Sequence, residues 1–486
     1  MDRNAALRQH PVKIIEGIFK YLLLFILPAL RSAAALMKQG LTPDMINIWL
    51  QSIWLDFLIA ALIITPGFIK WLSVSFVINS EGIFVRKGLF RISGYSFSYD
   101  SVTSILLEKP FYLAGLGAVR IKIACDTRLA KKGILSLTVK RIYGIEIMRR
   151  SLEQNRTEAA EKMSYSPQFS DVADMSLKHS SGLRGILIAV SLTMLGGKLI
   201  GRELQDMVLE NLDYGAKAVA LSASIPHFAA VVSVLLSGGW IVSFIINLLR
   251  YRELKVIRQG GSLYARWGML SVREYSIKPE RVDYISIINS RIAKTAKQKR
   301  VSVFLHSTGY ASGKGELAVL VPAAQEDKAL DVMSSLLPEI KPVEKQISPP
   351  KRALIYYIFP AAISVLVTVS ATTAAQLIPV EFYKHTVSFV FLSALFPLGW
   401  LLRIKVQSFY YSGIGIKDDT LTLYYQKNFK FFKVSVLRGK SLKIVIRQNL
   451  LHRKAGLCHI VVYPDFAKRH KHIIKNMDIK TKNIFS

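Results

Sequence analysis

The chain reads as an α+β membrane protein, with six transmembrane helices in three hairpins. Each hairpin is followed by a basic, strand-rich module closed by a C-terminal helix. Two observations predict this. Of 486 residues, 51% are hydrophobic and 20% charged, yet mean hydropathy is positive, so the apolar residues must be gathered into long runs between polar blocks. Lys and Arg number 65 against 33 Asp and Glu, a formal charge of +32, and the excess is spread over every polar block. Basic residues collect in the cytoplasmic loops of membrane proteins, which explains this spread better than a nucleic-acid-binding tract would. No nucleic acid is therefore expected as a partner. Membrane lipids with anionic headgroups are, since each Lys or Arg near such a surface contributes roughly 1 kcal/mol.

A bilayer core takes about 20 apolar residues per helix. Six segments come near that: Ile18–Met37, Ile46–Ile69, Leu183–Ile200, a stretch within Ala218–Leu249 whose spanning part begins near Pro226, Ala353–Ile378, and Thr386–Leu402. The chain then divides into 1–69 (N-terminal segment and hairpin 1), 70–182 (module 1), 183–249 (hairpin 2), 250–352 (module 2), 353–403 (hairpin 3) and 404–486 (module 3). Block 70–184 carries 18 basic residues against 10 acidic, block 250–352 carries 19 against 10, and block 403–486 carries 18 against 4. The short connections are poor in basic residues. Loop 38–45 has Lys38 and Asp44, and loop 201–217 sets Glu203, Asp206, Glu210 and Asp213 against Arg202 and Lys217. Lys70, Arg184, Arg250, Arg252, Lys351, Arg352, Arg403 and Lys405 flank the spans on the module side. Both termini and all three modules are thus expected in the cytoplasm. The polar lead before Ile18 and the length of the first run predict an uncleaved anchor, despite the small residues Ser32 to Ala35.

The modules repeat. At an offset of 180, Phe84 to Phe90 lie on Tyr264 to Leu270, so that Gly88 meets Gly268; further on, Tyr95-Ser96 meets Tyr275-Ser276, Val102 meets Val282 and Ile105 meets Ile285. In the third module, Leu421 to Tyr425 sit on Ile83 to Lys87, Ser435 on Ser96 and Ile444 on Ile105, with Lys427 where the glycine would stand. A weaker echo sets Ala114-Gly115-Leu116 on Ala455-Gly456-Leu457. Val119 to Ile123, Val301 to Leu305 and Leu442 to Ile446 alternate as strands. Helices are predicted at Gln325–Leu337, where Ala329, Leu330, Val332, Met333, Leu336 and Leu337 form one apolar stripe, at Ile142–Met163, and at Asp465–Met477.

A pair of spans followed by Gly-Leu/Met-Phe/Leu and a Tyr-Ser strand resembles the bacterial pleckstrin-homology-like (PH-like, type 2) domain. Three such units in one chain resemble the YdbT-like membrane proteins. The resemblance implies a helix-capped sheet sandwich or barrel per unit. It also implies a smaller membrane protein with one PH-like domain as partner.

Candidate chemistry is sparse. The chain has no Gly-x-Ser-x-Gly elbow and no His-Glu-x-x-His helix. Gly309 to Gly315 lacks the spacer and the Ser/Thr of a phosphate loop and reads as a turn. His452, Cys458 and His459 bring metal ligands to mind, but Cys458 and His459 point to opposite faces of a strand. His470 and His472 read as solvated residues of a basic helix. No catalytic residue, metal or cofactor is expected. Arg31 and Asp56 fall inside the first two spans, where charge is costly; they form either a structural ion pair or part of a polar pathway. Lys198 and His227 lie near span ends and can snorkel. The implied role is not enzymatic. It is a multi-pass scaffold or interaction protein that presents basic modules at the membrane, in envelope maintenance or resistance to membrane-active peptides; the alternative is a component of a transport or export system.

Overall fold

The computed structural model describes residues 6–16, 54, 58, 61–62, 64–89, 92–125, 134–153, 163–199, 202–259, 261–290, 300–307, 318–427, 430–437, 442–464 and 471–485. They form two compact units: Met1–Ser166 with His179–Lys278, and Pro167–Lys178 with Pro279–Ser486.

In the first unit, β1 (Leu7–Arg8), β2 (Val74–Ile78), β3 (Gly82–Lys87) and β4 (Ser93–Ser98) make a four-stranded antiparallel sheet in that order. A second sheet contains β5 (Val102–Pro110), β6 (Ala118–Cys125), β7 (Ile134–Lys140), β8 (Met163–Tyr165), β9 (Lys255–Gln259), β10 (Ser262–Trp267) and β11 (Ser271–Ile277), in the order β7-β6-β5-β11-β10-β9-β8. Alternate residues of β2 and β3 (Val74, Phe76, Ile83, Val85) face Ile105, Leu107, Ile121, Ile123 and Val139 of the second sheet. Helix Arg141–Glu153 closes this core with Ile147 and Met148. The helix expected over Ile142–Met163 does not reach its expected end, since Met163 belongs to a strand.

In the second unit, β12 (Val282–Ser290), β13 (Arg300–Ser307), β14 (Ala318–Gln325), β15 (Gly413–Lys417), β16 (Thr420–Lys427) and β17 (Lys430–Leu437) form one sheet, ordered β14-β13-β12-β17-β16-β15. It packs through Leu421, Leu423, Val434 and Val436 against Cys458, Ile460, Ile474 and Met477 of a third meander, β18 (Lys443–Arg447), β19 (Leu457–Tyr463) and β20 (His472–Asp478). Helix Glu326–Leu336 follows β14 and buries Ala329, Met333 and Leu336, as the apolar stripe predicts. The helix expected at Asp465–Met477 is absent over 472–477. There His472, Ile474 and Asn476 are buried at alternate positions, the period of a strand, and Asn476 and His472 disguise it because they are polar. The end of the third module is a 3-10 helix, Ile479–Ile484.

Three described helices are long and apolar enough to cross a membrane: His227–Tyr251, Lys351–Ala375 and Glu381–Tyr411. The first expected hairpin lies largely outside the described residues. The second departs from a simple pair. Between α1 (Gly182–Leu199) and α3 (His227–Tyr251), the stretch expected as a loop over 201–217 is a helix, α2 (Arg202–Ala223). Its acids read as a connection, yet no proline interrupts it and Asp213 pairs with Lys217 one turn on, at 2.6 Å. α2 ends before Ser224, whose φ is 52°, and Pro226 begins α3 as expected. The apolar part of α1, Gly182–Ser191, is shorter than a span.

Candidate functional site

The glycines of the repeat weld the first two modules to the helices that precede them. Gly88 (φ 121°) donates its N–H to Ser73 O at 2.8 Å, just past helical residues 64–72. Gly268 (φ 102°) donates to Arg252 O, also at 2.8 Å, at the end of α3. A Cβ at Gly268 would run into Ser271 O. In the third module Lys427 of β16 faces Lys430 of β17, and the sequence between them, Asn428-Phe429, holds no glycine. The weaker echo shifts by two residues: the positive φ of Gly456 (63°) is matched by Gly117 (65°), while Gly115 keeps an ordinary helical φ of −62°.

The first two Tyr-Ser strands take one register, and the corresponding strand of the third module, counted without a gap from the match of Ser435 to Ser96, is displaced from it by one residue. Phe84 faces Ser96 and Val85 faces Tyr95; Tyr264 faces Ser276 and Ala265 faces Tyr275; Thr422 faces Ser435. Their surroundings differ. Tyr275 is 1% exposed and Tyr95 51% exposed. The cause is a strand added beside β11: β5 of the first module pairs with β11 of the second, antiparallel, with Ile105 opposite Ser276. In the other unit β12 pairs with β17 in the same way, with Ile285 opposite Ser435. The sequence repeat aligns Ile105 with Ile285, and Ser276 with Ser435 through Ser96, so the two junctions are built alike.

Charge stitches the first junction. Lys109 Nζ donates to Glu274 Oε1 across it at 2.6 Å. Buried Glu108 accepts from Lys122 at 3.0 Å and lies 3.9 Å from Arg273 of β11. Arg120, which also reaches Glu108, donates to Glu16, and Lys13 joins Glu16 at 2.9 Å. Burial alone would raise the Glu16 carboxyl, but hydrogen bonds from Lys13 and Arg120 outweigh it and hold the pKa below its ordinary value. The segment leading into the first expected span is thereby tied to the sheet. At the second junction the Tyr284 ring of β12 meets the His472 ring of β20 edge-on, centroids 4.7 Å apart; within the second module Tyr284 also stacks on His306, centroids 4.0 Å apart, and Ser286 bonds the same imidazole at 2.8 Å. Tyr425 Oη meets His472 Nδ1 at 2.7 Å, so His472 is a buried strand residue and not a solvated helical one. Burial also pushes Lys430, beside this junction, down to about 8.

Two short helices present apolar side chains among basic ones. Phe111–Ala114, between β5 and β6, exposes Phe111 (72%) and Tyr112, next to Lys109 and Arg120. Leu450–Lys454, between β18 and β19, exposes Leu450 (81%) and Leu451, next to Arg447, Arg453 and Lys454. Each adjoins the foot of an apolar segment. Tyr112 Oη approaches Glu16 at 3.4 Å. The His452 ring lies 5.3 Å from Tyr356, in the first turn of helix Leu354–Ala375, and Tyr357 Oη donates to Lys475 O at 2.7 Å. Sequence reasoning missed both tips; an apolar pair inside a basic turn is the signal that marks them.

Nearby, His452 bridges Asn449 (2.6 Å) and Asn476 (2.8 Å), and His459 Nδ1 accepts from Asn476 N at 3.1 Å. Desolvation, then the charges of His452 and Lys475, push His459 down to about 4. Cys458 is buried on the other side of the strand, and among the described residues no three His, Cys, Asp or Glu side chains are grouped to hold a metal. Arg31, Asp56, His470 and Gly309 to Gly315 lie outside the described residues.

A family model described as the bacterial PH domain matches residues 22–153. The chain is also 21% identical over 322 residues to the transmembrane protein YdbT of Bacillus subtilis (strain 168), a match covering 62% of this chain and 64% of that protein. The matched stretch thus falls just short of two thirds of the relative's length. No solved structure matches.

Proposed function

As a YdbT-like membrane protein with PH-like domains, this chain acts, we propose, as a multi-pass scaffold. In this reading it holds three basic PH-like modules on the cytoplasmic leaflet, works with a smaller related membrane protein, and serves envelope maintenance or resistance to membrane-active peptides. An Arg31–Asp56 ion pair ties the first hairpin together.

The observation that carries the reading is the way the modules are joined. Successive modules meet edge to edge, β5 on β11 and β12 on β17, so the architecture works by strand addition, a standard mode of protein recognition. The exposed tips Phe111-Tyr112 and Leu450-Leu451 support the membrane side of the proposal. An apolar pair framed by Lys and Arg suits the boundary between acyl chains and anionic headgroups.

An affinity pull-down from native membranes in mild detergent, tagged after Ser486 and read by mass spectrometry, tests it. A stoichiometric smaller membrane protein carrying one similar module is expected. Recovery of this chain without such a partner, together with a substrate-dependent flux in vesicles, would replace the scaffold with the transport reading.

A further inference from the structure

Each module contributes one strand of the β4 type (β4, β11, β17) and one of the β5 type (β5, β12, β18). Two pairs are consumed within the chain, β5·β11 and β12·β17. One strand of each type remains at a sheet edge: among the described residues β4 has β3 as its one neighbour, and β18 has β19. We infer that these two edges form a third junction between copies of this chain, with β18 of one copy adding antiparallel to β4 of the next and Ile444 opposite Ser96. The inference rests on the scaffold reading and extends it to self-assembly.

The register follows from the two junctions already present. Both set the module's serine opposite the module's isoleucine, Ser276 on Ile105 and Ser435 on Ile285. The remaining members of that alignment are Ser96 and Ile444. The same register puts Tyr95 opposite Val445, an aromatic and β-branched pair of the kind that stabilises sheets. Composition agrees. β4 reads Ser-Gly-Tyr-Ser-Phe-Ser, without charge or proline, whereas natural edge strands carry such residues to prevent pairing. Tyr95 is half exposed where its counterpart Tyr275 is covered by β5. A contact joining two different edges is heterologous, so it closes into a ring or extends as a row.

Two differently tagged copies are expressed together, one carrying Ser96→Cys and the other Ile444→Cys, and their membranes are oxidised. A disulfide between the two tags is expected. It is lost when Arg447→Cys replaces Ile444→Cys, because that side chain is out of register and on the opposite face. The native thiols, Cys125 and Cys458, are buried, and each single variant alone sets the background. A second readout covers misfolding: in mild detergent the unmodified protein should run at a multiple of its 54.5 kDa chain mass, and Tyr95→Lys, at an exposed position, should reduce it to one chain. A single-chain mass for the unmodified protein, cross-linking indifferent to register, or capture of Ser96→Cys by a different protein would each overturn the inference. A smaller partner in the pull-down without this cross-link would leave the scaffold standing and remove self-assembly; the cross-link without that partner would do the reverse.

Discussion

At Gly268 a side chain would meet the carbonyl of Ser271 on a backbone with φ of 102°, and the same residue's N–H caps the end of α3. Gly268→Ala should therefore cost about 1–3 kcal/mol, the scale of a residue forced into a sparsely populated conformation. Gly115→Ala, at φ −62° and with its Cβ meeting nothing closer than the Phe111 carbonyl at 3.9 Å, should be neutral or slightly stabilising; thermal unfolding of the two variants side by side checks the contrast. His459 gives a pH dependence. Its folded pKa, about 4, lies below the ordinary 6.5, so between those values the unfolded chain binds more protons than the folded one. Stability is full above about pH 6.5 and is lost as pH falls toward 4. Protonation also removes the lone pair that accepts from Asn476 N. The unfolding midpoint of the parent should fall through that window more steeply than that of His459→Gln. Repeat alignment made Gly268 legible as a turn glycine, because the constraint is local. The buried roles of His472 and Asn476 were not legible, since their partners, Tyr425 and His452, are distant in sequence.

The helices show how an element's packing is written in small residues. Gly182 and Gly185 of α1 lie directly on Gly239 of α3, and a Cβ at Gly185 would strike the Gly239 carbonyl. Ser181 N donates to Ser243 Oγ at 3.2 Å and Asn247 to Ser180 Oγ at 3.3 Å at the same interface. Close backbone approach with a few polar contacts is the usual basis of helix association in lipid. Gly185→Val should separate the pair and depress the yield of monodisperse protein in size-exclusion chromatography. Gly238→Val, with nothing within 4 Å of its Cβ, should leave the profile unchanged. The long apolar helices and the strands around Gly88 and Gly268 follow from periodicity. α2 did not, because four acids without an apolar run look like a loop until helix propensity is weighed. Nor did β20, whose buried polar side chains interrupt the alternation.

Across the chain as a whole, the modules expected from the repeat are not self-contained in their hydrogen bonding. The last meander of one continues the first meander of the next, in one sheet of seven strands and another of six. Repetition in the sequence predicts that similar units occur; it carries no term for which edge meets which, because strand periodicity is the same for any antiparallel neighbour. Glu274, Lys109 and Arg273 are the residues that distinguish the correct neighbour, and they look like ordinary surface charge until β5 and β11 are side by side. The most direct test of this edge-to-edge account is a disulfide between Val272→Cys and Lys109→Cys, which face one another across the first junction. In oxidised membranes the pair should cross-link within a single chain, while Val272→Cys with Lys122→Cys, whose strand lies one further along the sheet, should not. Equal cross-linking of the two pairs, or none in the first while both thiols accept a labelling reagent, would contradict it.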